Sequence, residues 1–390
     1  MHRKRQGSTR GTPARILGRG FVWLWLSSLC TYAGFQFLTA SLPLYALQLG
    51  ADDAALGLLI GFIAAVALIT RPLAGWWIDR ANSTLPLAVG AFIFAVCALG
   101  YWQARSVTTL LTLRAATGLA IAFYGTASQT LAANLSPAER RGEAMSLFAL
   151  ALTLSQGVGP PAGVALAERI GYPGLFLTCA AVNLAGVAFA AGLHTLRPDP
   201  AARRHGRVLN WKVLLPGVLL LTLNVAFGVN FALLAVHASR RGLVNPGLVF
   251  VAHACGVFAA QSIAGRLSDR LGRLAVIVPG LVLAAVGLWG TALAAGAWLF
   301  VAGALSGLGL GGVQPLLYAL AADLVPLEER GSAVGTIGIF HEIGIVLGAI
   351  GGGFLGRSIG LPAMYGIAGT VPASGAMLAL LATRRRRARA

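Results

Sequence analysis

The stretch GRLSDRLGRL, Gly265 to Leu274, lies where one long apolar run gives way to the next. Its opening residues have a counterpart 190 positions earlier, Gly75-Trp76-Trp77-Ile78-Asp79-Arg80, again between two apolar runs. A second pair repeats at almost the same offset. SPAERRGEAM (Ser136–Met145) answers VPLEERGSAV (Val325–Val334), 189 positions on. Two landmarks recurring at one spacing across half the chain imply two homologous halves.

The runs around these landmarks set the class. Of 390 residues, 57% are hydrophobic and 11% charged, with a mean hydropathy of +0.77. A soluble chain of this length could not solvate so apolar a surface, so the composition implies a polytopic membrane protein. Twelve runs reach the ~20 residues a spanning helix needs. The division is a basic tail at 1–20, six helices in 21–195, a linker at 196–211, six helices in 212–383 and a basic tail at 384–390. The expected fold is all-α, two pseudo-symmetric six-helix bundles.

Lys and Arg number 30 against 12 Asp and Glu, a net charge of +18. Such an excess would suit nucleic acid if it formed one face, but here it sits at the ends of apolar runs. Nucleic acid is therefore excluded as the partner and the lipid bilayer implied. With the N-terminal tail taken as cytoplasmic, that side receives 23 basic residues. The opposite loops receive five (Arg105, Arg169, Arg240, Arg241, Arg357), and Arg71 and Arg114 fall inside spans. This asymmetry places both termini in the cytoplasm, with the adjacent Arg240 and Arg241 a local exception. The apolar run after the tail spans about 28 residues, too long for a cleaved signal. The cysteines Cys30, Cys97, Cys179 and Cys255 show no CxxC or metal-ligand spacing, so neither metal nor cofactor is expected.

The Gly265–Leu274 segment resembles the loop motif of the major facilitator superfamily, and the N-terminal copy keeps Gly75, Asp79 and Arg80 but departs after them. Arg71-Pro72 also resembles the family, as does RAATGLAIA (Arg114–Ala122) in the fourth span. SQGVGPPAG (Ser155–Gly163) in the fifth resembles the signature of the family's antiporters, carried here by Ser155, Gly159, Pro160 and Gly163. The resemblance implies a monomeric secondary transporter, with Asp79, Arg80, Asp269, Arg270 and Arg273 forming latches on the cytoplasmic side. It also places the first, fourth, seventh and tenth helices around a cavity. Gln36, Asn224 and Gln314, with Tyr32, are then the substrate-contact candidates, and Asp323, matching Asn134 under the offset, a gate or cap.

One pair of residues stands out chemically. Between Arg330 and Arg357 the only ionisable side chains are His341 and Glu342. An ionisable group inside a span is costly and marks a functional site. Gly344, Gly348 and Gly352 make a small-residue seam that answers Ser155, Gly159 and Gly163 at the 189 offset, and such seams pack helices closely. At ~100° per residue, Glu342 lies about 160° from Gly344 and His341 about 60°. Glu342 is therefore expected to face the cavity as a proton-coupling acid, with Arg114 and His341 assisting. Two readings compete with it, a structural ion pair and a neutral acid donating one hydrogen bond. Arg71 lies at similar depth, but that pairing is disfavoured if the seam is the face that packs on the second span.

The leading functional reading is proton-coupled efflux of a small organic compound. The alternative within transport is a proton-coupled importer of a sugar or organic acid, which Arg114 would suit. No acidic or aromatic cluster marks a cation-selective pocket, so the residues do not favour multidrug export. An intramembrane enzyme would need a convergent catalytic set, which is missing. A sensor would need a soluble output domain, and an ATP-driven pump a nucleotide loop.

Overall fold

The structure, a computed structural model, describes residues 18–80, 83–137, 140–193, 209–326 and 329–387. The tail at 1–17, most of the linker (194–208) and residues 388–390 lie outside the described residues. Everything described is helix or short connection, as a bilayer demands, since a helix satisfies its backbone polar groups within the segment. The helices are α1 (Arg19–Gln48), α2 (Asp53–Arg80), α3 (Thr84–Gln103) and α4 (Val107–Leu135). Arg141–Ala191 follows and divides into α5 (141–170) and α6 (172–191) at Gly171. The second half comprises α7 (Leu214–Arg240), α8 (Leu248–Leu271), α9 (Arg273–Leu293) and α10 (Trp298–Asp323). It ends with α11 and α12 (Leu361–Arg387). The helix α11 is built from Arg330–Val346, a π-helical turn Leu347–Gly351 and Gly352–Ile359.

Gly171 makes two spans from one helical run. Its φ of 71° and ψ of 170° belong to a region that only glycine occupies without strain. The packing on α1 shows that the chain reverses there. Ser155 and Gly163 in α5 meet Leu29 and Phe37, rising together, whereas Gly186 and Gly192 in α6 meet Thr31 and Trp23, running backwards. With twelve crossings, both ends of the described chain lie on one face, called here the termini face; the other is the far face.

The glycine seams explain how each half is built. A Cβ on Gly159 would strike Gln36, and one on Gly163 the Phe37 carbonyl, so α5 presses onto the backbone of α1. In the second half Gly344 meets Leu221 and Asn224, and Gly348 the Val225 carbonyl, so α11 presses onto α7 in the equivalent way. The seam of α11 thus packs within its own half and not on α2, leaving the opposite face of α11 for the other half.

The halves meet along α2 with α11 and along α5 with α8. Toward the far face they touch backbone to backbone. A Cβ on Gly57 would lie 2.9 Å from Gly353 Cα, and one on Gly247 2.6 Å from the Pro160 carbonyl. Asn245 Nδ2 donates to the Pro161 carbonyl oxygen at 3.1 Å across the same boundary. Toward the termini face, Gly75, Gly265, Gly335 and Gly338 have open space where a Cβ would point. The halves are closed at the far face and parted at the termini face.

Candidate functional site

The face of α11 opposite its glycine seam carries Glu342 to α2. There Arg71 Nη2 stands 2.6 Å from Glu342 Oε1, an ion pair between the two halves. Pro72 follows Arg71 and leaves the Leu68 carbonyl without its helical donor, loosening α2 beside the arginine. The expectation that the seam would block this pairing fails for a simple reason, namely that its partner is α7. The pair is unequal in exposure, with 43% of the Arg71 side chain accessible and 5% of that of Glu342. Arg71 is also within electrostatic reach of Tyr32 on α1, Tyr318 on α10 and His341 on α11. Arg71 is thus flanked by helices of both halves while remaining partly exposed. His341 Nδ1 is buried with no hydrogen-bond partner.

Other candidates are placed elsewhere. Arg114 is 1% exposed, with Nη2 donating to the Leu38 carbonyl at 3.4 Å and Nε unpartnered. Its guanidinium carbon lies 5.8 Å from the ring centroids of Phe35 and Tyr101. It sits seven residues into α4 from the far face, ~10 Å deep, whereas Glu342 is ~25 Å from the far end of α11. Arg114 therefore does not join Glu342 and belongs to a separate site within the first half. Ser155 donates within α5 to the Ala151 carbonyl at 2.8 Å, and Pro160 lies against Gly247, the N-cap of α8.

Of the cavity candidates, Gln36 is buried against Gly159 and accepts from Thr39 Oγ1 at 2.5 Å. Asn224 is buried in the α7–α11 seam with Nδ2 on the Leu220 carbonyl at 2.9 Å. Both are engaged in packing within their halves. Tyr32 packs edge-on to Tyr124, and Gln314 is half-buried on α10.

On the termini face, Arg80 stacks over the Trp76 ring at 4.5 Å; the Asp79 side chain lies outside what is described. Asp269 and Arg270 are exposed and form no ion pair with a described residue. Arg273 Nε pairs with Asp323 Oδ2 at 2.5 Å, from α9 to α10 within the second half. No described residue on this face latches the halves together, in keeping with their separation there. Nothing in the sequence singles out Tyr318 except its position one turn from Gln314 on the same helix.

The sequence profile of the Major Facilitator Superfamily matches residues 24–244 and 244–390. An uncharacterized MFS-type transporter of Methanocaldococcus jannaschii is 24% identical over 88% of this chain and 92% of its own length. The staphylopine export protein of Staphylococcus aureus is 23% identical over 90% and 92%. The human synaptic vesicular amine transporter is 24% identical over 82% of this chain and 65% of its own length. Among solved structures, the nucleoside transporter NupG superposes with a TM-score of 0.79 at 13% identity, covering 93% of this chain and 99% of that one. A bacterial homologue of the human lysosomal transporter Spinster, inward-facing and occupied, gives 0.74 at 15% identity over 93% and 96%. At those identities the structures attest the fold alone. The chain belongs to the major facilitator superfamily, as a multi-pass membrane transporter and not an enzyme.

Proposed function

We propose that this transporter exports a small organic compound across the cytoplasmic (inner) membrane by alternating access, driven by protons, with its termini in the cytoplasm. The single observation that carries the coupling is the Arg71–Glu342 pair between the halves. A carboxylate in so apolar a setting is stabilised by its arginine, and protonation removes that attraction. A proton on Glu342 thus alters the force between two bodies that must move relative to one another. Efflux is supported by the Ser155–Gly163 signature in α5 and by the name of the staphylopine export relative. The transporter works as a monomer in this reading, with small molecule, proton and lipid as its partners.

A second reading, import with a proton, is favoured by the exposure of Arg71. Once Glu342 is protonated, an anionic solute can take its place on the accessible guanidinium, and proton and anion then load from one face. Metabolite profiling of cells and medium tests both readings, comparing cells that overexpress the chain with those expressing Glu342→Gln. A compound enriched in the medium by the wild type alone supports export; one drawn into the cells supports import. Unchanged, gradient-sensitive transport by Glu342→Gln removes Glu342 from the coupling.

A further inference from the structure

The arginines that break the charge rule on the far face have a structural use. Arg240, at the end of α7, donates from Nη1 and Nη2 to Asp53 Oδ2 and Oδ1 at 2.9 and 2.7 Å. Arg357, near the end of α11, places Nη1 3.0 Å from Asp52 Oδ2. Both arginines belong to the second half and both acids to the first. The neighbouring Arg241 stays within its own half, donating from Nη2 to the Ala292 carbonyl at 3.0 Å. Asp53 is almost wholly buried under its clasp.

We propose that Asp52 and Asp53, with Arg240 and Arg357, form the far-face gate of the transport cycle. The clasp is closed in this state, directly over the backbone contact of Gly57 with Gly353, and must part before the far face can open. Charge placement makes it reversible. The acids stand at the N-terminus of α2 and the arginines at the C-terminal ends of α7 and α11, so each charge is favoured by its own helix dipole whether or not the clasp is made. Asp52 also accepts the Ala55 backbone N–H at 2.8 Å, an N-cap that survives opening. On the termini face, by contrast, the pairs Arg273–Asp323 and Lys212–Glu329 each lie within the second half. Among the described residues, ion pairs therefore join the halves on the far face and stay within one half on the other, Arg140–Glu143 in the first half included.

The test is independent of substrate and of proton coupling. In the full-length chain with its four cysteines replaced by serine, a single cysteine goes at Ala40, which is buried in a cluster with Phe231 and Leu234 of the other half. The rate of maleimide modification of the purified protein then reports far-face opening. Asp53→Asn and Arg240→Gln should each raise the rate roughly two- to fivefold, the worth of one good partly exposed pair. Combining them should add little to either, because both remove one interaction. Asp52→Asn, which keeps the cap, and Arg357→Gln should behave as a second such pair, and Arg241→Gln should leave the rate unchanged. Rates equal to wild type in both pairs overturn the proposal, as do additive effects within each pair. Should any one variant not remain monodisperse, its opposite partner alone still gives the result.

Discussion

Arg71 and Glu342 are held 2.6 Å apart by helices of different halves, the arginine accessible and the acid enclosed. Removing the accessible partner strands the enclosed one. Arg71→Gln should therefore destabilise the protein by about 3–5 kcal/mol, while Arg71→Gln/Glu342→Gln, which leaves no buried charge, should recover most of that loss. Thermal unfolding in detergent measures both. Equal stability of the single and double variants would show that the acid is solvated in solution and not buried.

The seams make a sharper prediction about packing. Gly159→Val and Gly348→Val each put side-chain atoms into the backbone of the facing helix, at Gln36 and Val225. Each should cost at least the ~1–3 kcal/mol typical of overpacking and lower the yield of folded protein. Gly335→Ala, on α11 but facing open space, should be neutral or stabilise by about 0.5–1 kcal/mol through helix propensity. Expression and melting temperature of the three variants, compared side by side, decide it.

How far the sequence could be read follows from what each signal encodes. Hydropathy and the repeat reach the spans and the two halves, because both depend on runs and offsets within the chain. The equivalence of Gly159 and Gly348, visible as a 189-residue offset, reappears as equivalent contacts on α1 and α7. Helical angles also give the direction of Glu342 relative to Gly344. They do not say which helix lies in that direction, and so the pairing with Arg71 depended on an assumption about the seam that the packing reverses. Gln36 and Asn224 were placed on cavity helices by resemblance, yet the close approach of α5 and α11 turns both toward packing. Asp53 and Arg240 illustrate the limit most plainly: 187 residues separate them, and nothing local marks either as a partner.

Gly171 carries the reversal between α5 and α6 with φ 71° and ψ 170°. Gly171→Ala introduces a Cβ where the backbone excludes one, and should destabilise by roughly 1–3 kcal/mol. Melting of the purified variant checks this. A change below about 0.5 kcal/mol would mean that the turn can relax to an ordinary conformation at little cost.

Arg114 separates stability from function most directly. It is enclosed, its Nε is unpartnered, and its one direct hydrogen bond among the described residues, to the Leu38 carbonyl, is long at 3.4 Å. No acid pairs with it among the described residues. A buried cation so poorly compensated costs folding energy, and strain of this kind is retained where activity requires it. Arg114→Met keeps the volume and removes the charge. It should raise stability by about 1 kcal/mol or more while abolishing transport of whatever compound the wild type moves. Arg114→Lys keeps the charge but loses the flat guanidinium between Phe35 and Tyr101, and should be less stable than Arg114→Met. If Arg114→Met melts well below wild type instead, the arginine is a packing element that ties α4 to α1 through Leu38, and its charge is incidental.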